Sequence, residues 1–215
     1  MQRFRSWLVP IAVAIALAAG VPQSARALTL ADLDAGGTFS VGALTFSDFD
    51  VLIVGDLSAD LADYGVQLLG DGFRIAGPLS TLFDEEATLL VSYVVEATGS
   101  FGIEGASLFS PLVAAGSGAA ALVSDSIFDA DGNPLAQLLA LNVFGVGSTL
   151  SDSASFAEQA KLEVVKVVAL GGGVFSAAPH VDQRFFAVPE PITLAMLASG
   201  LVGLAVAGRR RAMVA

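Results

Sequence analysis

Short apolar runs separated by turn-forming residues characterise the chain between Leu28 and Val188. Gly, Asp, Asn and Ser recur between the runs, which predicts many short strands rather than helices. The segments that we predict to be strands are Thr38–Val41, Phe49–Gly55, Val66–Leu69, Phe73–Ala76, Thr88–Ala97, Phe101–Phe109, Ala119–Phe128, Leu135–Phe144, Ser153–Phe156, Lys161–Ala169, Val174–Ala177 and Gln183–Phe186. We therefore expect an all-β fold, an antiparallel β-sandwich of jelly-roll-like type, over residues 28–187.

Two of the predicted strands differ in how regular their alternation is. In Thr88–Ala97 every second residue is apolar and the intervening row is partly polar, which is typical of a half-buried strand. Lys161–Ala169 begins in the same way, but the adjacent Val164 and Val165 interrupt the alternation before Lys166. We expect a β-bulge near Val165, or a change of face there.

Three shorter segments complete the local picture. Asp129–Asn133 separates two long β-like runs and predicts a hairpin connection. Thr29–Leu33 predicts a short helical turn. Pro134–Leu141 has real helix propensity, but we predict a strand there because Asn142–Phe144 extends the run and the preceding turn favours a return.

The N-terminal segment has the pattern of a secretory signal. Two early arginines precede an apolar run from Leu8 to Val21, and the small residues Ala25 and Ala27 then supply a signal-peptidase site. We expect signal peptidase to remove residues 1–27. The alternative is an uncleaved N-terminal anchor.

The C-terminal segment has three parts: the tripeptide Pro189, Glu190 and Pro191, the uncharged run Ile192–Gly208, and then Arg209, Arg210 and Arg211. As a helix, the uncharged run would reach about 25 Å, slightly less than the ~30 Å hydrocarbon core of a bilayer. The run thus predicts a single, marginal transmembrane helix. The three arginines predict a cytoplasmic stop, with the preceding chain facing away from the cytoplasm.

This three-part pattern resembles the PEP-CTERM sorting signal of exopolysaccharide-producing Gram-negative bacteria. The resemblance implies that residues 188–215 form the signal and that an exosortase recognises Pro189, Glu190 and Pro191 as substrate. The chain would be exported through the inner membrane, held there transiently through Ile192–Gly208, cut near the tripeptide, and delivered to the cell surface or extracellular matrix. The alternative is an ordinary membrane anchor with a proline spacer.

The resemblance extends into the predicted β domain. The opening LTLADLDAGGTFSVGALTFSDFDV, the closing DSASFAEQAKLEVVKVVAL and the later DQRFF are similar to a β-rich ectodomain family that recurs among PEP-CTERM proteins. Such proteins usually have no assigned activity. The resemblance therefore implies a class of sorted cargo and no catalytic residue.

Charge and cysteine content narrow the possible functions. Between Leu28 and Val188 twenty acidic residues face four basic ones, a formal charge of −16. This charge argues against nucleic acid and anionic lipid as partners. The chain contains no cysteine, so disulfides, thiol chemistry and cysteine-based metal sites are excluded.

Few residues are candidates for chemistry. Asp129 and Asp131 resemble the start of a calcium loop, but Pro134 and Ala140 stand where an EF-hand needs Gly and Glu. These aspartates are weak metal candidates, and a plain hairpin turn is the favoured interpretation. Acidic pairs at glycosidase separation are expected by chance in so acidic a chain.

The single histidine and the aromatic residues give equally little indication of an active site. His180 has Ser176 and Asp182 nearby in sequence, but no nucleophile-elbow motif is present, so we interpret it as a loop histidine. The predicted mature chain has no Trp, and its Phe residues lie in apolar runs typical of a core.

We therefore expect a secreted, non-enzymatic surface or extracellular-matrix protein that needs no cofactor and is processed by an exosortase. The alternative is an envelope-anchored module that binds exopolysaccharide or Ca²⁺. An enzyme ranks third, because no constellation of catalytic residues was found.

Overall fold

The computed structural model describes residues 27–189, 196–197 and 199–201, and its secondary structure is almost entirely β. A short α-helix, α1, spans Leu30–Asp34, and a 3₁₀ turn spans Leu61–Asp63. The strands are β1 (Leu28–Thr29), β2 (Phe39–Val41), β3 (Leu44–Gly55), β4 (Gly65–Leu69), β5 (Gly72–Ala76), β6 (Ser80–Leu82), β7 (Glu86–Ala97), β8 (Phe101–Phe109), β9 (Val113–Ala115), β10 (Ala120–Asp129), β11 (Pro134–Val143), β12 (Gly147–Thr149), β13 (Ser151–Gln159), β14 (Lys161–Gly171), β15 (Phe175–Ala177) and β16 (His180–Pro189).

The strands form three antiparallel sheets. Sheet 1 has six strands in the order β1-β4-β5-β16-β8-β13, and sheet 2 has seven in the order β12-β11-β10-β14-β7-β3-β2. A small third sheet has the order β6-β15-β9. In sheet 1, β16 lies between β5 and β8, so the last strand of the domain is paired on both edges.

Aromatic rings join the inner faces of sheets 1 and 2. Phe73 of sheet 1 contacts Phe46 and Tyr93 of sheet 2, with ring centroids 5.3 Å apart in both pairs and nearly perpendicular rings. Phe185, also of sheet 1, lies 5.9 Å from Phe46. All four rings are buried, and edge-to-face pairs of this kind stabilise a core beyond the area that they bury. The two large sheets therefore share one core.

Helix α1 begins with a capping box. The backbone N–H of Asp32 donates to the Thr29 hydroxyl at 3.2 Å, and the Thr29 N–H donates to the Asp32 carboxylate at 3.0 Å. Leu30 and Leu33 project from the helix into the core and are fully buried. The helical turn predicted over Thr29–Leu33 is confirmed, one residue further along the chain.

The all-β, antiparallel prediction is confirmed. Each of the twelve predicted segments overlaps a strand, Pro134–Leu141 is extended as predicted, and Asp129–Asn133 connects β10 to β11. The strands missed by the sequence analysis, β1, β6, β9 and β12, have only two or three residues each, too few for a visible alternation. The jelly-roll-like connectivity stays a prediction.

The predicted bulge near Val165 is wrong. Strand β14 pairs with β7 from Lys161 to Gly171 and with β10 from Leu162 to Gly171. Neither pairing contains a register shift. The inward row is Leu162, Val164, Lys166, Val168 and Leu170. The alternation is therefore unbroken, and Lys166 occupies a core position.

Most of the two end segments lies outside the described residues. At the N-terminus, the predicted signal lies outside the described residues up to residue 26, including Ala25. At the C-terminus, the same holds for Glu190 and Pro191, most of Ile192–Gly208, and Arg209 to Arg211. Within the membrane candidate, residues 196–197 and 199–201 are helical and exposed. No helix in the described part of the chain has the length and apolarity needed to cross a bilayer.

Candidate functional site

The first candidate site lies where the folded domain ends. Val188 and Pro189 are the last residues of β16 and pair with Gly102 and Phe101 of β8. Pro189 is exposed. Proline fixes its own φ and disfavours helical geometry in the residue before it, which is consistent with the extended Val188 at the end of β16. Pro189, the described residue of the predicted sorting tripeptide, is thus accessible at the boundary of the domain.

The second candidate site is the outer face of sheet 1, where two phenylalanines are exposed. Phe109 on β8 and Phe186 on β16 are 41% and 42% exposed, although the sequence analysis placed Phe residues in the core. A Cβ at Gly105 would lie only 2.9 Å from Cδ2 of Phe186, so the ring covers the backbone of β8 at that glycine. Gly105 and Phe109 are four residues apart, which separates the two ring positions by about 13 Å along the strand.

A row of polar side chains crosses the sheet between the two rings. Arg184 of β16 pairs with Ser107 of β8, which in turn pairs with Ser153 of β13. Together with both phenylalanines, Ser107 and Ser153 line a shallow depression of about 470 Å³. We call this surface, defined by Phe109, Phe186, Ser107, Ser153 and Arg184, the aromatic face.

An ion pair beside the aromatic face joins strand β5 to strand β16. Arg74 of β5 donates from Nε and Nη2 to the two carboxylate oxygens of Asp182 on β16, at 2.6 and 2.8 Å. The bidentate hydrogen bond to Asp182 raises the pKa of the Arg74 guanidinium. Arg74 and Arg184, the two arginines of the predicted mature domain, therefore both lie on the outer face of sheet 1.

His180 does not form a triad with Ser176 and Asp182. Its Nε2 lies 3.9 Å from the Asp182 carboxylate, too far for a hydrogen bond, and its ring lies against Phe109 at 6.0 Å. The Ser176 hydroxyl donates instead to the carbonyl oxygen of Gly171. His180 begins β16 rather than lying in a loop.

The carboxylate of Asp129 is occupied by its own hairpin turn. Its Oδ1 accepts from the backbone N–H of Asp131 at 2.9 Å and from that of Asn133 at 2.8 Å. The Asn133 side chain also donates to this carboxylate, and these bonds lower the pKa of Asp129. In the described ranges no three His, Asp or Glu side chains are grouped so that they could hold a metal ion.

A buried polar cluster, which the sequence analysis missed, lies between the two large sheets. The Lys166 ammonium contacts Asp125 Oδ1 at 2.5 Å and donates to Gln183 Oε1 at 2.8 Å. All three side chains are fully buried. The signal was present in the sequence, because Asp125 and Lys166 both fall on the inward row of an alternating strand.

Comparison with known families decides the nature of the first candidate site. The family model of the PEP-CTERM protein-sorting motif matches residues 187–211. The chain carries a PEP-CTERM motif. The match begins two residues before Pro189, so the matched segment starts inside β16. Because this motif is the signal that exosortases process, it supports export and exosortase-dependent sorting.

Other comparisons say little about the β domain that precedes the PEP-CTERM motif. None of the curated proteins compared with the chain matches it. Among solved structures, TmCBM61 in complex with β-1,4-galactotriose matches with 12% identity and a TM-score of 0.36, over 65% of this chain and 88% of that one. A bacteriophage CBA120 tailspike protein matches with 15% identity and a TM-score of 0.30, over 68% of this chain and 20% of that one. These TM-scores are too low to assign the chain to either fold.

Proposed function

We propose that this protein is a secreted, non-enzymatic component of the cell surface or extracellular matrix, with a jelly-roll-like β-sandwich ectodomain that an exosortase releases from its PEP-CTERM segment. The observation that carries the proposal is the position of Pro189, which is both the last residue of β16 and the first of the tripeptide. Cleavage just beyond this residue would remove the apolar segment and the arginines without cutting a strand. The ectodomain would thus keep its complete sheet 1 after processing.

The processing step is tested by replacing the tripeptide in the native host. We expect a Pro189→Ala, Glu190→Ala, Pro191→Ala variant to keep Arg209–Arg211 and to stay in the membrane fraction, because the stiff peptide that the exosortase recognises is lost. Intact mass and fractionation measure the result. Wild-type protein should lack the three arginines.

Pro134→Ala is the control, since Pro134 is also an exposed proline at a strand terminus, the first residue of β11. This variant should be processed like wild type. Wild-type surface protein that still carries the arginines, or a triple variant that is processed normally, would contradict the proposal.

We propose a second role for the aromatic face, the binding of exopolysaccharide. The two exposed phenyl rings start from positions about 13 Å apart along the strand, with hydroxyl and guanidinium groups between them. This arrangement suits a chain of sugars in which one sugar stacks on each phenyl ring and the sugars between them form hydrogen bonds with the polar groups. Each arginine on the outer face of sheet 1 is paired with a carboxylate, Arg74 with Asp182 and Arg184 with Asp71 at 3.5 Å. The binding proposal does not depend on how the tail is processed.

Affinity electrophoresis in the host's exopolysaccharide tests the aromatic face. We expect the Phe109→Ala, Phe186→Ala double variant to bind at least about tenfold more weakly, because truncating an interface aromatic commonly costs more than 1 kcal/mol. Phe144→Ala is the control, because Phe144 is 51% exposed but follows a strand of sheet 2. Equal retardation of the double variant and the control would count against this role, as would wild-type protein that migrates unretarded.

A further inference from the structure

Lys166 and Asp125 face each other across neighbouring strands in the centre of sheet 2. They are direct partners in the antiparallel pairing of β10 with β14, and both side chains point into the core. Nζ of Lys166 lies 2.5 Å from Oδ1 of Asp125, and neither side chain is exposed to solvent. An amine and a carboxyl group are therefore held in contact, in a place that bulk water does not reach.

Within sheet 2, the inward positions next to the pair are apolar. The nearest inward positions on the same and adjoining strands are Val123 and Ile127 of β10, Val164 and Val168 of β14, and Val91 of β7, all fully buried or nearly so. Burying a separated ammonium and carboxylate in such a medium costs several kcal/mol per ion. Moving one proton along the short Nζ–Oδ1 contact converts the charged pair into a neutral amine and a neutral carboxylic acid.

Burial acts on both groups in the direction of this neutral pair. It raises the pKa of the Asp125 carboxyl and lowers the pKa of the Lys166 ammonium, while the opposite charge of each partner acts against these shifts. The neutral forms are the reactive ones, since an unprotonated amine is a nucleophile and a protonated carboxyl can lose its hydroxyl group as water.

The groups around the pair can assist the reaction. Gln183 Oε1 accepts a hydrogen bond from Nζ at 2.8 Å and so orients the amine. Three buried polar atoms of this cluster have no hydrogen-bond partner within the described chain, and they are Asp125 Oδ2, Gln183 Nε2 and Tyr93 Oη. Burial, and after it the charge of Asp125, raises the pKa of the Tyr93 hydroxyl. Neither the Tyr93 O–H nor the Gln183 N–H donates to Asp125 in the structure, so Gln183 Oε1, which accepts from Nζ, is the group that orients the reactants.

We propose that Lys166 and Asp125 become joined by an intramolecular isopeptide bond, which makes this pair a site of self-modification. The lone pair of Nζ attacks Cγ of Asp125, a C–N bond forms, and one C–O bond of the carboxyl group breaks. The departing hydroxyl group takes one proton from the amine and leaves as water, and the second amine proton remains on the amide nitrogen. No oxidant, metal or other reactant is required.

The bond would cross-link β10 to β14, the third and fourth strands of sheet 2. Gln183 is a positioning residue in this proposal, because it acts through the amine of Lys166. The cross-link would suit a protein exposed to an extracellular matrix, where covalent stabilisation is useful and this cysteine-free chain cannot form disulfides.

Tryptic peptide mapping of the full chain, purified in folded form, tests the proposal. Trypsin does not cut after an acylated lysine. We therefore expect residues 162–184 to appear uncut at Lys166 and joined to residues 75–161, which contain Asp125. The mass of this branched peptide should be lower than the sum of its parts by one water molecule. Cleavage at Lys161 on the same strand provides the control for digestion.

The Asp125→Asn variant gives a second, independent measurement. Its amide would lose ammonia instead of water, so it and wild type would form the same linked product with the same mass. The Lys166→Met variant cannot react and should give the full, unlinked mass. Wild-type peptides cut after Lys166 and separate from residues 75–161 would overturn the proposal, whether or not the variants fold.

Discussion

Relative to wild-type protein in which Lys166 and Asp125 are not covalently joined, a Lys166→Met variant should lose about 3–5 kcal/mol of its free energy of unfolding, the range measured when one partner of a buried ion pair is removed. The change leaves the Asp125 carboxyl in the core without its nearest partner, and it also removes the hydrogen bond to Gln183 on the opposite sheet. Urea denaturation followed by circular dichroism measures the loss.

The same strand supplies a matched control for this effect. Lys161 also lies on β14, but it pairs with Glu96 at 3.4 Å on the surface, where the two side chains are 39% and 51% exposed. An exposed pair of this kind is worth at most about 1 kcal/mol, so Lys161→Met should change the unfolding midpoint only slightly. Similar losses in the two variants would contradict the importance of the buried cluster.

A double variant separates the cost of an unpaired group from the value of the pair. Replacing both members, as in Asp125→Leu with Lys166→Met, removes the polar groups that need desolvation. We expect this variant to be more stable than the single Lys166→Met variant, since no polar atom of the pair is then left without a partner. A double variant that is less stable than the single one would show that the pair stabilises the fold by more than the contact its two members make with each other.

Phe73→Ala should have an effect of similar size, about 3–5 kcal/mol, because it removes a large side chain from the centre of the core. Phe73 is fully buried and its ring lies 5.3 to 6.2 Å from those of Phe39, Phe46, Phe49 and Tyr93. Four aromatic contacts between sheets 1 and 2 would thus be lost together. Thermal unfolding by calorimetry measures the change.

Phe83→Ala makes the same substitution on the surface. The Phe83 side chain is 75% exposed, so its removal should alter stability by no more than about 0.5 kcal/mol. A large loss in Phe83→Ala, or a small one in Phe73→Ala, would mean that the inter-sheet aromatic cluster does not dominate the core.

The sequence was most informative where hydrophobic alternation was long and uninterrupted. Phe101–Phe109 was predicted with the bounds of β8, and Thr88–Ala97 lies within β7. The pattern failed at β14 because the adjacent Val164 and Val165, followed by Lys166, were interpreted as an interruption of the alternation, whereas Lys166 continues the inward row. A partner in another strand, Asp125, makes the buried position tolerable, and such a partner cannot be identified from one segment alone.

The aromatic face could not be predicted for a related reason. In β16, Phe185 and Phe186 are adjacent in sequence, yet Phe185 is buried and Phe186 is 42% exposed. Residue type cannot distinguish the buried phenylalanine from the exposed one. The difference lies in the face of the strand from which each side chain projects. The PEP-CTERM motif, by contrast, is read by a processing enzyme as a linear signal and was recognisable from the sequence.

The position of β16 determines how the domain would respond to a pull on its C-terminus. The strand is hydrogen-bonded on one edge to β5 and on the other to β8, and its last residue continues directly into the sorting segment. A force transmitted from the membrane or from an attachment beyond Pro189 would act along the axis of this strand. The hydrogen bonds of β16 to β5 and to β8 would then be loaded in shear. Many of them would bear the force together, rather than opening one at a time. A tether attached beyond Pro189 would thus act on one of the internal strands of sheet 1, an arrangement suited to carrying mechanical tension.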